Sequence, residues 1–231
     1  MQIPLPVSLP DDATFDAFLP HAGSAASVHA LRSGLADPPL RAFLHGPGGA
    51  GRTHLLQACC RLAEARGEAF VYLPLAELRG APAEEVLSGL DACSLVCLDD
   101  LDAVQGAPDW EEALFHLFNT LHAAGASLIV SARLPPSTLP VSLPDLRSRL
   151  QSMLVLPLAL PDDEALLAVL VLRARGRGMT LETEVARYIL SRATRSMAGM
   201  MSVLDVLDAQ SLSAGRRLSI PFVREALGWQ A

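Results

Sequence analysis

The strongest chemical signal in this chain is the run Gly46-Pro47-Gly48-Gly49-Ala50-Gly51-Arg52-Thr53. It fits the phosphate-binding pattern G-x-x-x-x-G-K-[ST] except that Arg52 stands where lysine is usual. An apolar run ends at His45, and a helical pattern starts near Thr53. Glycines let backbone N–H groups turn toward phosphate oxygens, and a helix N-terminus adds positive potential. Read this way, Gly46, Gly48, Gly49, Ala50, Gly51, Arg52 and Thr53 surround a nucleotide's phosphates, and Thr53 holds Mg²⁺. Arg52 keeps the charge of a lysine but not its compact shape. All 18 basic residues of the chain are Arg, so its presence here carries no message of its own. The plain alternative is an ordinary glycine-rich turn between strand and helix.

A second run, Ser94-Leu95-Val96-Cys97-Leu98-Asp99-Asp100, ends a buried strand in two carboxylates. In an open α/β sheet that strand end faces the ligand. Asp99 would hold Mg²⁺ through water, and Asp100 would orient an attacking water. Asp100 is one methylene shorter than a glutamate in that role. Alone, the run also reads as a strand followed by a polar turn. Ser131 ends another strand, either near a γ-phosphate or simply as the cap before the Pro135-Pro136 turn. Arg147 and Arg149, in Leu143-Pro144-Asp145-Leu146-Arg147-Ser148-Arg149-Leu150, read by themselves as two solvated arginines on a short helix.

These residues need elements to hold them. Five short apolar runs, at 41–45, 69–73, 94–98, 127–131 and 153–158, alternate with helical patterns. That pattern predicts a five-stranded parallel sheet covered by helices on both faces. Residues 53–66 place Leu55, Leu56, Cys59 and Leu62 on one side of a helix. Residues 109–124 do the same with Trp110, Leu114, Leu117, Phe118 and Leu121, with Asp109 as the N-cap after Pro108. Beyond Leu158 the strands stop, and helices are expected at 162–175, 182–192, 197–214 and 220–227. Asp162 suits a helix start, Gly176 and Gly178 an end, Gly215 the close of the third helix, and Pro221 the start of the fourth. The expected organisation is a tail over 1–10, an α/β domain over 11–159 and an all-α domain over 160–231.

The composition narrows the function classes. A chain of 231 residues that is 51% apolar is no disordered segment. With 25 acidic against 18 basic residues, a net charge of -7 argues against a protein that chiefly grips nucleic acid. The densest basic cluster, Arg173, Arg175 and Arg177, falls at a predicted helix C-terminus, where the backbone dipole favours cations. No apolar run is long enough for a membrane span, and residues 1–10 lack a charged leader region. Cys59, Cys60, Cys93 and Cys97 show neither zinc nor disulfide spacing. A reducing cytoplasm is the expected compartment. The six histidines show no metal-ligand spacing, and His54, inside the first helix, reads as packed rather than catalytic.

Taken together, the run Gly49 to Leu56, the run Leu95 to Asp100, the run Leu143 to Leu150 and the end Ile220-Pro221-Phe222-Val223-Arg224-Glu225 resemble the DnaA-related AAA+ family of bacterial replication initiation. The likeness spans nearly the whole chain in family order. It implies an AAA+ P-loop NTPase domain followed by a helical lid, with ADP or ATP and Mg²⁺ bound between them. It adds His54, Phe15 and Phe18 to the nucleotide-binding set, and places Arg149 at the arginine-finger position. The chain departs from the family in two places. Ala198 stands where an arginine usually opens the third lid helix, with Arg195 nearly one turn earlier. Arg133 stands where an acidic residue is common.

Gln2-Ile3-Pro4-Leu5-Pro6-Val7 resembles the short peptides that dock on the bacterial sliding clamp. Pro4 and Pro6 hold the tail extended, Leu5 and Val7 suit an apolar pocket, and Gln2 suits a hydrogen bond at its rim. The family likeness thus implies a regulator that binds nucleotide, with ADP the expected one, docks on the DNA-loaded clamp and promotes hydrolysis of ATP held by DnaA. It also implies self-association as a homodimer or higher oligomer. No duplex-reading helix-turn-helix is expected after the lid, since the chain stops at Ala231. An autonomous ATPase such as a helicase loader, and a nucleotide-free scaffold, are the other two readings.

Overall fold

A computed structural model describes residues 9–10, 12–194, 196–214 and 218–229. The tail residues Gln2, Leu5 and Val7 lie outside the described residues, as do Arg195 and Gly215. The chain divides into two compact units, Met1–Ala159 and Leu160–Ala231.

In the first unit the order is α1 (Ala25–Ala36), β1 (Arg41–His45), α2 (Arg52–Ala65), β2 (Phe70–Pro74), α3 (Leu75–Leu78), α4 (Ala83–Leu87), β3 (Leu95–Asp99), α5 (Pro108–Ala124), β4 (Ser127–Ala132), α6 (Pro144–Gln151) and β5 (Leu154–Pro157). The strands pair only in parallel, in the order β2-β3-β4-β1-β5. The five apolar runs thus became five strands, each within a residue or so of its expected bounds. Parallel pairing buries both faces, and alternate side chains feed different cores. From β1, Phe43 joins Val96, Leu98, Leu114 and Phe118, under α5. Its neighbours Ala42 and Leu44 join Leu55, Leu56, Cys59 and Cys97, under α2. The chain leaves β1 for the far edge of the sheet and returns through β3 and β4, so β1 marks the switch point where such sheets take ligands.

Helix α5 begins one residue earlier than expected. Ala107 is its N-cap, Pro108 fills the first turn, and Asp109 lies inside that turn rather than capping it. Proline suits this position because its missing N–H would have found no intrahelical acceptor. At the opposite sheet edge β5 is short. Leu154 and Val155 are exposed, Pro157 ends the strand, and the Ser27 hydroxyl of α1 donates to the Pro157 carbonyl at 2.6 Å.

The second unit holds α7 (Asp163–Gly176), α8 (Thr183–Arg192), α9 (Met197–Ala214) and α10 (Ile220–Ala226). Leu166, Leu170, Ile189, Met200, Leu204, Phe222 and Val223 form its core. Asp162 caps α7 by accepting from the Ala165 N–H at 2.8 Å, and Ser219 caps α10. Arg173 and Arg175 lie in the last turn of α7, and Arg177 pairs with Asp205 of α9 at 2.8 Å. Ala198 is the second residue of α9 and is exposed. No described helix is long and apolar enough to cross a membrane.

Candidate functional site

The loop from β1 to α2 is shaped by its glycines. Gly49 and Gly51 have φ of +86° and +94°, values that side chains with a Cβ rarely adopt. A Cβ on Gly51 would also meet the Phe18 ring at 2.5 Å. Gly46 passes so close to the chain just after β5 that a Cβ there would strike the Leu158 carbonyl oxygen, whereas the space around Gly48 is open. The loop feeds straight into α2, whose first N–H groups have no intrahelical acceptors. Ala50 packs beneath the loop in the core.

Asp99 ends β3 and is buried. Its carboxylate sits in a cage of donors. Thr53 Oγ1 and the Tyr72 hydroxyl each donate to Oδ2 at 2.7 Å. The Ser131 hydroxyl and the Asp100 N–H donate to Oδ1, the latter at 3.2 Å. Four donors match the roughly four acceptor sites of a carboxylate. Burial first, and then the Asp99 charge, push the Tyr72 phenol far up, so it stays a neutral donor. Ser131 therefore serves this cage, and its Oγ also accepts from the Asp100 N–H at 3.0 Å.

Asp100 has φ of +54°, the single described non-glycine residue with positive φ. Its side chain bonds Arg52, with Nη2 donating to Oδ1 at 2.8 Å. Arg52 is buried, and its Nη1 has no hydrogen-bond partner among the described residues, although Asp102 Oδ1 lies 3.9 Å away. Burial and the neighbouring Asp99 raise the Asp100 carboxyl above its ordinary range, against the pull of Arg52. The carboxylate expected to orient water is thus engaged by the loop arginine.

His54 is packed, as expected: its Nε2 donates to the Thr14 carbonyl at 2.9 Å, and its ring lies 5.6 Å from that of Phe18. Phe18 sits over Gly51, beside the loop. Phe15 is instead a core residue, with the Arg32 guanidinium 5.6 Å from its ring. Arg149 lies apart from this cluster, in the last turn of α6. It is exposed, and its guanidinium lies 5.7 Å from the Phe118 ring centre. Its neighbour Arg147 is tied down by donating to the Val141 carbonyl.

Two functional elements were not anticipated. Tyr72 is a buried residue of the edge strand β2, which pairs beside the strand that carries Asp99. Glu111 is 2% exposed on α5 and accepts backbone N–H groups from Gly106, Ser142 and Leu143 at 2.7–3.1 Å. It thereby fixes the loop that enters α6. An acid on the Leu114–Phe118 side of α5 was the available signal.

A parallel sheet of order 2-3-4-1-5, a phosphate-type loop after β1, paired acids after β3 and a following helical unit together define an AAA+ nucleotide-binding module with a lid. Residues 9–157 match the bacterial DnaA ATPase domain, and residues 162–227 match the Hda lid domain. The chain belongs to the DnaA ATPase-domain family and is an Hda-like, DnaA-related AAA+ protein. Among solved structures, domain III of Thermotoga maritima DnaA superposes with a TM-score of 0.82 at 22% identity, over 95% of this chain and 97% of that one. AMPPCP-bound DnaA from Aquifex aeolicus gives 0.76 at 22% identity, over 89% of this chain and 68% of the other. A Thermotoga maritima RuvB variant gives 0.71 at 16% identity, over 95% and 72%. These likenesses establish the fold.

Proposed function

We propose that this protein binds an adenine nucleotide, with ADP as its resting ligand, and acts on DnaA by presenting Arg149 to the ATP held there. Promoting that hydrolysis would restrain replication initiation. Residues 1–8, through Gln2, Leu5 and Val7, would dock on the sliding clamp and so concentrate the protein on DNA. The compartment is the cytoplasm.

The loop and its surroundings suit a polyphosphate. The space at Gly48 is open, the first turn of α2 offers N–H donors, and the buried Arg52 Nη1 lacks an acceptor. The Aquifex relative of the same fold holds AMPPCP. Gly46, Gly48, Gly49, Gly51 and Arg52 would hold the phosphates, with Phe18 and His54 at the edge of the loop. Among the described residues no cluster of three His, Cys, Asp or Glu side chains could hold a metal. Mg²⁺ would depend on phosphate oxygens and Thr53 Oγ1, with Asp99, already filled by protein donors, acting on it through the Thr53 hydroxyl and water. When bound, it would neutralise phosphate charge.

The observation that carries the proposal is the contrast between two arginines. Arg52 is buried against Asp100, whereas Arg149 stands exposed on Phe118 with no carboxylate partner among the described residues. A guanidinium held on an aromatic face is oriented yet still available to an outside phosphate. Such a residue supplied in trans is worth roughly 10³–10⁵ in hydrolysis rate. Arg149→Ala should abolish stimulation of ATP hydrolysis by DnaA while clamp pull-down persists. Removing residues 1–8 should abolish clamp pull-down and, with it, stimulation on clamp-loaded DNA, while ADP binding persists. Full stimulation by Arg149→Ala would refute the proposal.

A further inference from the structure

Arg52 is the first residue of α2 and is 7% exposed, so its charge needs a nearby anion. Two are present, and neither satisfies it fully. Asp100 accepts from Nη2 at 2.8 Å, but Nη1 makes no hydrogen bond. The carboxylate nearest Nη1, Asp102, is held elsewhere. It accepts from the Arg133 N–H at 2.8 Å, and its Oδ2 lies 3.5 Å from Arg133 Nε. A guanidinium prefers two parallel acceptors, which a phosphate offers and this arrangement does not.

Asp100 is built for this contact. Its left-handed backbone is one that Asp and Asn tolerate better than other side chains. Its N–H is fixed by Ser131 Oγ at 3.0 Å and Asp99 Oδ1 at 3.2 Å. The backbone is pinned by β3 and β4, and the carboxylate meets the loop arginine across 48 residues of sequence.

We propose that Asp100 is the internal counter-anion of Arg52, a positioning residue that holds the guanidinium on the acidic turn until nucleotide phosphates displace it. Asp100 then sets phosphate affinity by competition and does not act as the water-orienting base. This rests on the nucleotide-binding reading above.

The test is titration of fluorescent ADP into the full chain, with Mg²⁺ and again with EDTA. The proteins are wild type, Asp100→Asn, Arg52→Ala and the double variant. Asn keeps the shape and the backbone conformation but loses the charge. Asp100→Asn should tighten binding roughly tenfold, the low end for a hydrogen bond to a charged group, because the Asp100 side chain is 36% exposed. The gain should be similar in EDTA and vanish in the Arg52→Ala background. Unchanged or weaker binding by Asp100→Asn overturns the proposal. So does a loss seen only with Mg²⁺, which would make Asp100 a metal-site residue, or an equal gain without Arg52. Asp102→Asn, which removes the more distant carboxylate, should tighten binding by a smaller factor, and no tightening counts against the idea even if Asp100→Asn folds poorly. Binding by none of the four proteins would defeat the nucleotide reading itself, whereas normal wild-type binding indifferent to Asp100 defeats the competition alone.

Discussion

Replacing Glu111 by alanine should be among the most damaging single changes outside the nucleotide loop. The Glu111 carboxylate accepts from three backbone N–H groups, those of Gly106, Ser142 and Leu143. Hydrogen bonds to a charged acceptor contribute about 1.5–3 kcal/mol each, but such terms do not add when they share one acceptor. Water can also reach part of the loop, since Ser142 is exposed. A loss of about 3 kcal/mol is the expected net. For a unit of this size that is roughly 6–12 °C in Tm. Glu111→Gln keeps one acceptor oxygen but turns an NH₂ toward N–H donors, so it should cost about 2 kcal/mol. Urea melts followed by circular dichroism would measure both. The loop held by Glu111 leads directly into α6, so under the proposed function the alanine variant should also fail to stimulate ATP hydrolysis by DnaA at temperatures where it remains folded. A cost below about 1 kcal/mol for alanine would refute the claim that this carboxylate organises the loop.

Two further changes probe other parts of the chain. Gly51→Ala forces a Cβ into a φ of +94° and against Phe18, so it should weaken ADP binding at least tenfold, since the backbone strain alone is about 1–2 kcal/mol; calorimetric titration reads this. Asp162→Ala removes the N-cap of α7 and should lower the stability of the helical unit by about 1 kcal/mol, visible in its melting and absent from ADP affinity measured at low temperature.

Much of this arrangement was legible from the residues. Short apolar runs separated by helical periodicity announced a parallel sheet, because a strand buried on both faces has no polar side to show. The loop glycines and the Asp99-Asp100 pair were legible because their spacing is local. What escaped the sequence is contact between distant segments. Nothing in the order of residues says that Arg52 meets Asp100, because that bond depends on the left-handed turn after β3. Tyr72 reaches Asp99 only because β2 pairs beside β3. Asp109 has the residue type of a helix cap, but proline at the first helical position shifts the boundary of α5 back to Ala107. Phe15 and Phe18 look alike in sequence, yet one is core and the other borders the loop, a difference set by the turn between them.

The terse β5 strand has a consequence for how the molecule keeps its own company. An unpaired sheet margin invites a stranger's backbone, the more so where Leu154 and Val155 are uncovered. Here the invitation is brief: four residues, the last an imino acid with no hydrogen to give, its carbonyl already claimed by Ser27. Lateral growth into fibrils is thereby discouraged at the side of the sheet where an apolar surface would otherwise encourage it.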